Sequence, residues 1–143
     1  MGRVSGRACI VTGAAQGIGK AIGLALLDEG AEVCFADRNA EKLDAIADRD
    51  RAITATVDVS DRSQVRAMID KTVDAFGRLD VMFNNAGVNK PMNFLDVTEE
   101  NWNFIMGING LGCLIGMQEA ARQMIAQGRG GKIVNTASIA SRQ

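Results

Sequence analysis

A glycine-rich turn carries the most informative chemistry in the sequence. Gly13, Gly17 and Gly19 follow an apolar run at residues 8–11 and precede a pattern of helical period at residues 20–28. A strand, a turn and a helix N-terminus in that order can bind a pyrophosphate, because glycines let the backbone approach an anion and the helix end presents N–H donors. The spacing G-x-x-x-G-x-G differs from the usual G-x-G-x-x-G, so tight packing is the alternative. We interpret the turn as a dinucleotide site.

Asp37 and Arg38 come at the end of the second apolar run, about 20 residues beyond the turn, where an acid contacts the adenine ribose of a dinucleotide. The Asp37 carboxylate can accept hydrogen bonds from the ribose hydroxyls, and the alternative is a solvated loop residue. A carboxylate there would repel a ribose 2′-phosphate, whereas the Arg38 guanidinium could pair with it. Because the aspartate ends the strand, we give it more weight, which favours NAD over NADP.

Two further groups follow the next predicted strands. Asp58 and Val59 come after the third strand, where a carboxylate can accept a hydrogen bond from an adenine amino group while the valine packs on the ring. A turn or N-cap role for Asp58 is an equal alternative. Asn85, Ala86 and Gly87 come after the fourth strand, at the edge where such sheets bind ligands. Buried amides there can tie neighbouring strands together, while Ala86 and Gly87 leave room for a sugar or nicotinamide. A plain turn is the alternative.

The elements that position these residues alternate along the chain. Apolar runs and segments of helical period predict strands at 8–12, 32–36, 52–57, 80–84 and 132–136, and helices at 17–29, 40–48, 61–76 and 98–127. This alternation is typical of right-handed βαβ units, so we predict an α/β fold: a doubly wound parallel sheet, or three-layer Rossmann domain, over residues 1–143. A sheet that stops after five strands exposes a strand edge, so we expect the domain to be truncated and the parent chain to be longer.

Composition excludes several classes of function. The net charge of −1 is spread along the chain, so we expect neither a nucleic-acid nor a membrane partner. No apolar stretch is long enough to cross a bilayer, and the N-terminus does not resemble a signal peptide. Cys9, Cys34 and Cys113 are widely spaced in apolar runs, which indicates buried free thiols in a reducing cytoplasm. The chain has no histidine, which excludes a Ser-His-Asp triad and a histidine-ligated metal, and we predict no metal site.

Several motifs together resemble the short-chain dehydrogenase/reductase family. They are Thr12-Gly13-x-x-x-Gly17-x-Gly19, Asp58, Asn84-Asn85-Ala86-Gly87, Asn109 and Ser138, in the family's order and spacing. The resemblance covers the whole chain. Within the family, the pattern of motifs is similar to that of the group that includes polyol, sugar-alcohol and hydroxysteroid dehydrogenases. The resemblance implies a nicotinamide cofactor and hydride transfer between a secondary alcohol and its ketone, both small molecules.

The resemblance also implies roles for two residues outside the turn motifs. Ser138 would orient the substrate oxygen and stabilise charge developing on it, and the backbone carbonyl of Asn109 would hold a water in a proton relay. The family's catalytic tyrosine, with a lysine four residues later, would lie after Ser138, but the chain contains no tyrosine. The sequence therefore resembles the cofactor-binding half of an NAD-dependent alcohol dehydrogenase. The alternative is a short, non-catalytic nucleotide-binding protein.

The longest predicted helix carries more apolar residues than a single buried stripe needs. In the family the corresponding helices form a dimer interface, often within a tetramer, so we expect a homo-oligomer. A helix buried only against its own sheet is the equal alternative. The predicted catalytic residues are Asn109 and Ser138, and the predicted cofactor-binding residues are Gly13, Gln16, Gly17, Ile18, Gly19, Asp37, Arg38, Asp58, Val59, Asn85, Ala86 and Gly87.

Overall fold

The computed structural model describes residues 2–139, which form a five-stranded parallel sheet in the order β3-β2-β1-β4-β5. The strands are β1 (Ala8–Thr12), β2 (Glu32–Asp37), β3 (Ala52–Thr56), β4 (Val81–Asn84) and β5 (Lys132–Asn135). All four strand pairings are parallel. The chain order reverses between β1 and β4, so a switch point lies at the centre of the sheet. The predicted doubly wound sheet is confirmed. Met1 and residues 140–143 of the predicted domain lie outside the described residues.

Five α-helices connect the strands within the described part of the chain. They are α1 (Gly17–Asp28), α2 (Ala40–Ala47), α3 (Arg62–Phe76), α4 (Glu99–Met106) and α5 (Cys113–Gln127), with a 3₁₀ turn at Phe94–Asp96. Asn39, Asp61 and Thr98 cap α2, α3 and α4, because each side chain accepts a hydrogen bond from a backbone N–H in the first turn of its helix. The polar residues that precede these three helices in the sequence are therefore their N-caps.

Two buried apolar clusters lie on opposite faces of the sheet. Ile10 and Cys34 belong to a cluster that includes residues of α3 and α5, and Val11 and Phe35 belong to one that includes residues of α1 and α2. Alternate residues of a strand point to opposite faces, so the helices cover both sides of the sheet. The predicted three layers are therefore present. In contrast to β1, which is buried at every residue, the edge strand β5 is exposed at every residue.

The predicted single helix at 98–127 is interrupted. A π-helical stretch, Gly107–Gly112, joins α4 to α5 and contains Asn109. Glycine and asparagine are poor helix formers, and π-helical turns inside α-helices occur frequently at functional sites. The interruption therefore follows from local composition, and it places Asn109 where the regular backbone hydrogen-bond pattern changes.

The combined helix corrects one expectation about membranes. Glu99–Gln127 spans 29 residues and is long and apolar enough to cross a bilayer, by length and composition only. A single helix of this kind is weak evidence, because core helices of other proteins pass the same test. Ile115, Ala120 and Met124 of this helix are buried in the cluster that covers the sheet. We assign the helix to the sheet's outer layer.

The three cysteines are free thiols in different surroundings. Cys9 and Cys34 are fully buried, and burial raises the pKa of Cys9 to about 12 and that of Cys34 to about 11. Both thiols are therefore protonated and unreactive at neutral pH. Cys113, at the start of α5, is only half-buried, so the expectation of buried thiols is correct for two of the three cysteines.

Candidate functional site

A cleft of about 680 Å³ opens at the carboxyl ends of the strands. It is lined by the glycine turn, the β2–α2 and β3–α3 connections and the segment after β4, together with Ile108 and Thr136. The lining includes Gly13, Gln16, Gly17, Ile18, Gly19, Asp37, Arg38, Asp58, Val59, Asn85, Ala86 and Gly87. Residues predicted from separate motifs therefore meet at one cleft, at the switch point of the sheet.

The glycine turn is shaped by close backbone approach. A Cβ atom at Gly19 would lie 2.2 Å from the Gly13 carbonyl oxygen and 2.6 Å from Asn85 Nδ2, so no side chain fits there. Gly13 has φ +65°, and a Cβ on it would lie 2.9 Å from the Cα of Ala86. Gly17 has φ +56°, but a Cβ there would meet nothing within 4 Å. Two glycines thus pack the turn tightly, while the third leaves its backbone open to the cleft.

The N-terminus of α1 differs from those of the next helices. Gln16 occupies the N-cap position but, among the described residues, its side chain makes no capping hydrogen bond, whereas Asn39, Asp61 and Thr98 cap their helices. The first-turn N–H groups of a helix have no partner within that helix. They and the positive dipole end suit an anion such as a pyrophosphate, so the turn fits the phosphates of a dinucleotide.

Thr12 joins the glycine turn to the segment after β4. Its Oγ1 accepts hydrogen bonds from the backbone N–H groups of Asn85 and Ala86, both at 3.0 Å, and donates to the carbonyl oxygen of Phe83 at 3.3 Å. The Thr12 carbonyl oxygen accepts a bond from Asn85 Nδ2 at 3.2 Å. The sequence motif includes Thr12, but its role as the connection between β1 and β4 emerges only from the strand order.

The Asp37 carboxylate is fixed at the rim of the cleft. Its Oδ2 accepts a hydrogen bond from the Ala15 N–H at 3.1 Å, and its Oδ1 accepts one from the Asn39 N–H at 3.0 Å. A carboxylate has lone pairs for about four hydrogen bonds, so Asp37 can still accept ribose hydroxyls. The next residue, Arg38, is exposed and places its guanidinium carbon 5.8 Å from the ring centroid of Phe104, which is a cation–π contact.

Asp58 shapes a turn and, together with Val59, lines the cleft. Asp58 Oδ1 accepts hydrogen bonds from the N–H and hydroxyl of Ser60 at 2.9 and 2.6 Å, so Asp58 does shape the turn. The N-cap of α3 is Asp61 instead. Val59 packs against Gly112, where a Cβ would lie 2.6 Å from Val59 Cγ2. Both residues nevertheless line the cleft, so the turn role does not remove them from the candidate site.

Asn109 holds the loop after β4 in place. Its Oδ1 accepts a hydrogen bond from the Val88 N–H and its Nδ2 donates to the Val88 carbonyl oxygen, both at 2.8 Å. Asn109 does not line the cleft, but its hydrogen-bond partner Val88 and the preceding residue, Ile108, do. The side chain therefore positions a wall of the site. The predicted water-binding role of its backbone carbonyl stays a prediction.

Ser138 lies beyond the carboxyl end of β5 and is exposed. It is not among the residues that line the cleft, although Thr136 is. Thr136 Oγ1 donates a hydrogen bond to Asn85 Oδ1 at 3.0 Å, and Asn84 Nδ2 donates one to Asn135 Oδ1 at 2.9 Å. These bonds hold the end of β5 beside the end of β4. They fix the backbone that leads to Ser138, whose predicted role stays a prediction.

Sequence reasoning missed the other residues of the cleft wall: Ala15, Asn39, Lys42, Val57, Val88, Ile108 and Thr136. Most are apolar or belong to turns, and no local pattern marks them. Lys42 does have a sequence signal, because it is a cation in the first turn of a helix that directly follows Asp37. Among residues 2–139, no group of three or more acidic, cysteine or histidine residues is arranged to hold a metal ion.

Comparisons with known proteins agree with this architecture. A family model described as short chain dehydrogenase matches residues 7–143. The chain is 37% identical over 142 residues to the 3-oxoacyl-(acyl-carrier-protein) reductase of Thermotoga maritima, covering 96% of this chain and 57% of the reductase. It is 38% identical over 143 residues to the sorbitol dehydrogenase of Cereibacter sphaeroides, covering 99% of this chain and 56% of that enzyme.

A solved structure is similar along the whole chain. The short chain dehydrogenase/reductase of Burkholderia phymatum, in complex with NAD, superposes with a TM-score of 0.91 at 31% identity and covers 100% of this chain and 53% of its own. The chain thus spans a little over half the length of the relatives it matches. It belongs to the short-chain dehydrogenase/reductase family.

Proposed function

We propose that this protein binds NAD in the cleft and supplies the cofactor-binding part of an oxidoreductase that interconverts a secondary alcohol and its ketone. One observation carries the proposal: the glycine turn, Asp37, Asp58 and the Asn85–Gly87 segment line a single cleft of about 680 Å³. A nicotinamide cofactor supplies the hydride chemistry when bound, and the protein supplies orientation and electrostatics. The solved relative in complex with NAD supports the same assignment.

Each group at the cleft has a role in holding the cofactor. The open backbone at Gly17 and the uncapped start of α1 bind the pyrophosphate. Asp37, already held by two backbone N–H groups, accepts the ribose hydroxyls and thereby favours NAD over NADP. Val59 packs against the adenine, and the small residues after β4 leave space for the nicotinamide ribose.

Isothermal titration of the purified protein with NADH and NADPH tests cofactor binding. We expect one saturable NADH site per chain and weaker binding of NADPH, because the carboxylate of Asp37 repels a 2′-phosphate. An absence of saturable binding for both cofactors would refute the proposal. Equal affinities would refute only the preference for NAD.

The substrate class we propose is a polyol or sugar alcohol. The likeness to a sorbitol dehydrogenase supports it, and the similar likeness to a reductase of acyl-carrier-protein substrates makes ketoacyl compounds the comparison to test. NADH formation from NAD with a panel of polyols and other secondary alcohols separates an enzyme from a non-catalytic nucleotide-binding protein. In an active enzyme, Ser138→Ala should lower kcat about 100-fold if its hydroxyl stabilises developing charge. Wild-type kcat in that variant would remove Ser138 from the reaction.

We also propose that the protein is a homo-oligomer, a dimer or tetramer, that associates through the α4–α5 surface. The exposed large apolar residues on this surface are Trp102, Phe104, Met106, Leu111, Leu114 and Ile125. Large exposed apolar patches mark interaction sites. Light scattering should give an oligomer, and Ile125→Lys, at a residue that is 79% exposed, should shift it toward smaller species. A monomeric wild-type protein would contradict this assignment.

A further inference from the structure

Lys42 extends from α2 toward the glycine turn at the rim of the cleft. It is the third residue of α2, where its N–H donates to the Asn39 side chain at 3.1 Å. Its ammonium group contacts Oε1 of Gln16, the N-cap residue of α1. Both residues line the cleft. The cationic side chain of Lys42 therefore reaches from α2 to the glycine turn, across the part of the cleft where we propose that the adenosine binds.

The position of Lys42 is unfavourable for the helix that carries it. The first turn of a helix has a positive dipole end, which stabilises acids and destabilises cations. Asn39 already caps α2, and Glu41 already supplies an acid in its first turn, so the helix gains nothing from a lysine there. A residue that breaks a local rule beside a cleft is a candidate for function.

The charges around the cleft leave Lys42 without an ionic partner. The ion pairs found among residues 2–139 do not include Lys42, and its contact with Gln16 is to a neutral amide. Arg38, which also lines the cleft, stacks over Phe104. A phosphate adds the attraction of opposite charges to the hydrogen bond, which the neutral Gln16 amide does not, so Lys42 gains by exchanging the amide for a phosphate.

We propose that Lys42 is a specificity-determining residue of the cofactor site, whose ammonium binds a phosphate on the adenosine ribose. The site then binds NADP(H) as well as NAD(H), and the opposition of Asp37 and Lys42 sets the preference between them. This inference rests on the proposed function, because it requires the dinucleotide to lie in the cleft. The sequence alone suggested Arg38 as the partner of a ribose 2′-phosphate, and the inference gives that contact to Lys42 instead.

Titration of NADPH and NADH into the wild type, Lys42→Met and Lys132→Met tests the inference. Lys132 is the matched control, since it is an exposed lysine at the amino end of β5, away from the cleft. Loss of one charge-assisted contact should weaken NADPH binding in Lys42→Met by about tenfold or more. NADH affinity should change by less than about threefold, and Lys132→Met should match the wild type for both cofactors. Because Lys42 is exposed, the variant should keep the wild-type unfolding temperature.

Asp37 provides a second arm of the experiment. In Asp37→Asn the affinity for NADPH should rise, because the repelling charge is gone, and Asp37→Asn/Lys42→Met should lose that rise. The assignment is overturned if Lys42→Met weakens both cofactors equally, if NADPH affinity is unchanged, or if the wild type binds NADH but not NADPH. Wild-type protein that binds neither cofactor would refute the proposed function itself, and this inference with it.

Discussion

An aspartate lies near each end of the central strand β1, Asp80 just before β4 and Asp37 at the end of β2, but the two carboxylates have different partners. At the amino end, Asp80 accepts the Ala8 N–H at 2.9 Å and pairs with Arg78 at 2.7 Å and Arg7 at 3.4 Å. At the carboxyl end, Asp37 accepts the Ala15 N–H at 3.1 Å. No ion pair found among residues 2–139 includes Asp37.

This difference separates a carboxylate that stabilises the fold from one that is available to a ligand. Burial acts to raise the pKa of Asp80, but the Ala8 N–H and the guanidinium groups of Arg78 and Arg7 outweigh it and hold the pKa below its ordinary value. Its negative charge is thus satisfied inside the protein. Asp37 accepts two hydrogen bonds from backbone N–H groups and lines the cleft, so it has lone pairs left for the cofactor we propose.

The largest expected effect concerns the backbone contacts that shape the carboxyl end. Gly19→Ala should lower the free energy of unfolding by about 3 kcal/mol, as for an overpacked core, because the new Cβ would lie 2.2 Å from the Gly13 carbonyl oxygen. NADH binding should be lost as well. Chemical denaturation and titration measure the two effects.

Gly107→Ala is the matched control for that variant. Gly107 has helical φ −58°, and a Cβ there meets nothing within 4 Å. The change should therefore be neutral or stabilise the protein by up to about 1 kcal/mol. Equal stability of Gly19→Ala and Gly107→Ala would mean that the turn does not need its close packing.

Asp80→Asn tests the amino end of β1. We expect the free energy of unfolding to fall by about 2 kcal/mol at neutral pH, because hydrogen bonds to a charged group are lost. Since the folded-state pKa of Asp80 is lowered, its stabilisation is fully present above the ordinary carboxyl pKa of about 4 and disappears as the pH falls through the folded value.

Denaturation of the wild type and Asp80→Asn across this pH range measures the difference. The difference in the free energy of unfolding between the two proteins should be constant near neutral pH and should disappear below about pH 4. NADH affinity at neutral pH should be the same in both. A difference that does not depend on pH would show that the charge of Asp80 is not the source of the stabilisation.

The same substitution at the other end, Asp37→Asn, should have the smallest effect on the fold. The free energy of unfolding should change less than in Asp80→Asn, because removing the charge of Asp37 leaves no cation without its partner. NADH affinity should fall by about tenfold, as for the loss of one charge-assisted hydrogen bond. If Asp37→Asn destabilised the protein as much as Asp80→Asn and left NADH binding unchanged, the distinction between the two aspartates would be wrong.

The sequence predicted the strands and the start of most helices closely, because apolar runs mark the strands and side chains such as Asp61 and Thr98 cap helices locally. It also predicted most of the residues that line the cleft, since the carboxyl ends of parallel strands meet at one edge of a sheet. The poor helix formers around Asn109 favoured a break in the long helix, but the sequence did not predict that the break is π-helical. Nor did it identify Lys42, because the reach of a long side chain depends on how α2 packs.

A crystal structure of the protein with NAD tests the central claim most directly. The account predicts the pyrophosphate at the backbone of Gly17 and the start of α1, and the hydroxyls of the adenine ribose within hydrogen-bond distance of Asp37. Electron density for NAD at any other surface would contradict it. So would NAD in the cleft with its adenine ribose turned away from Asp37.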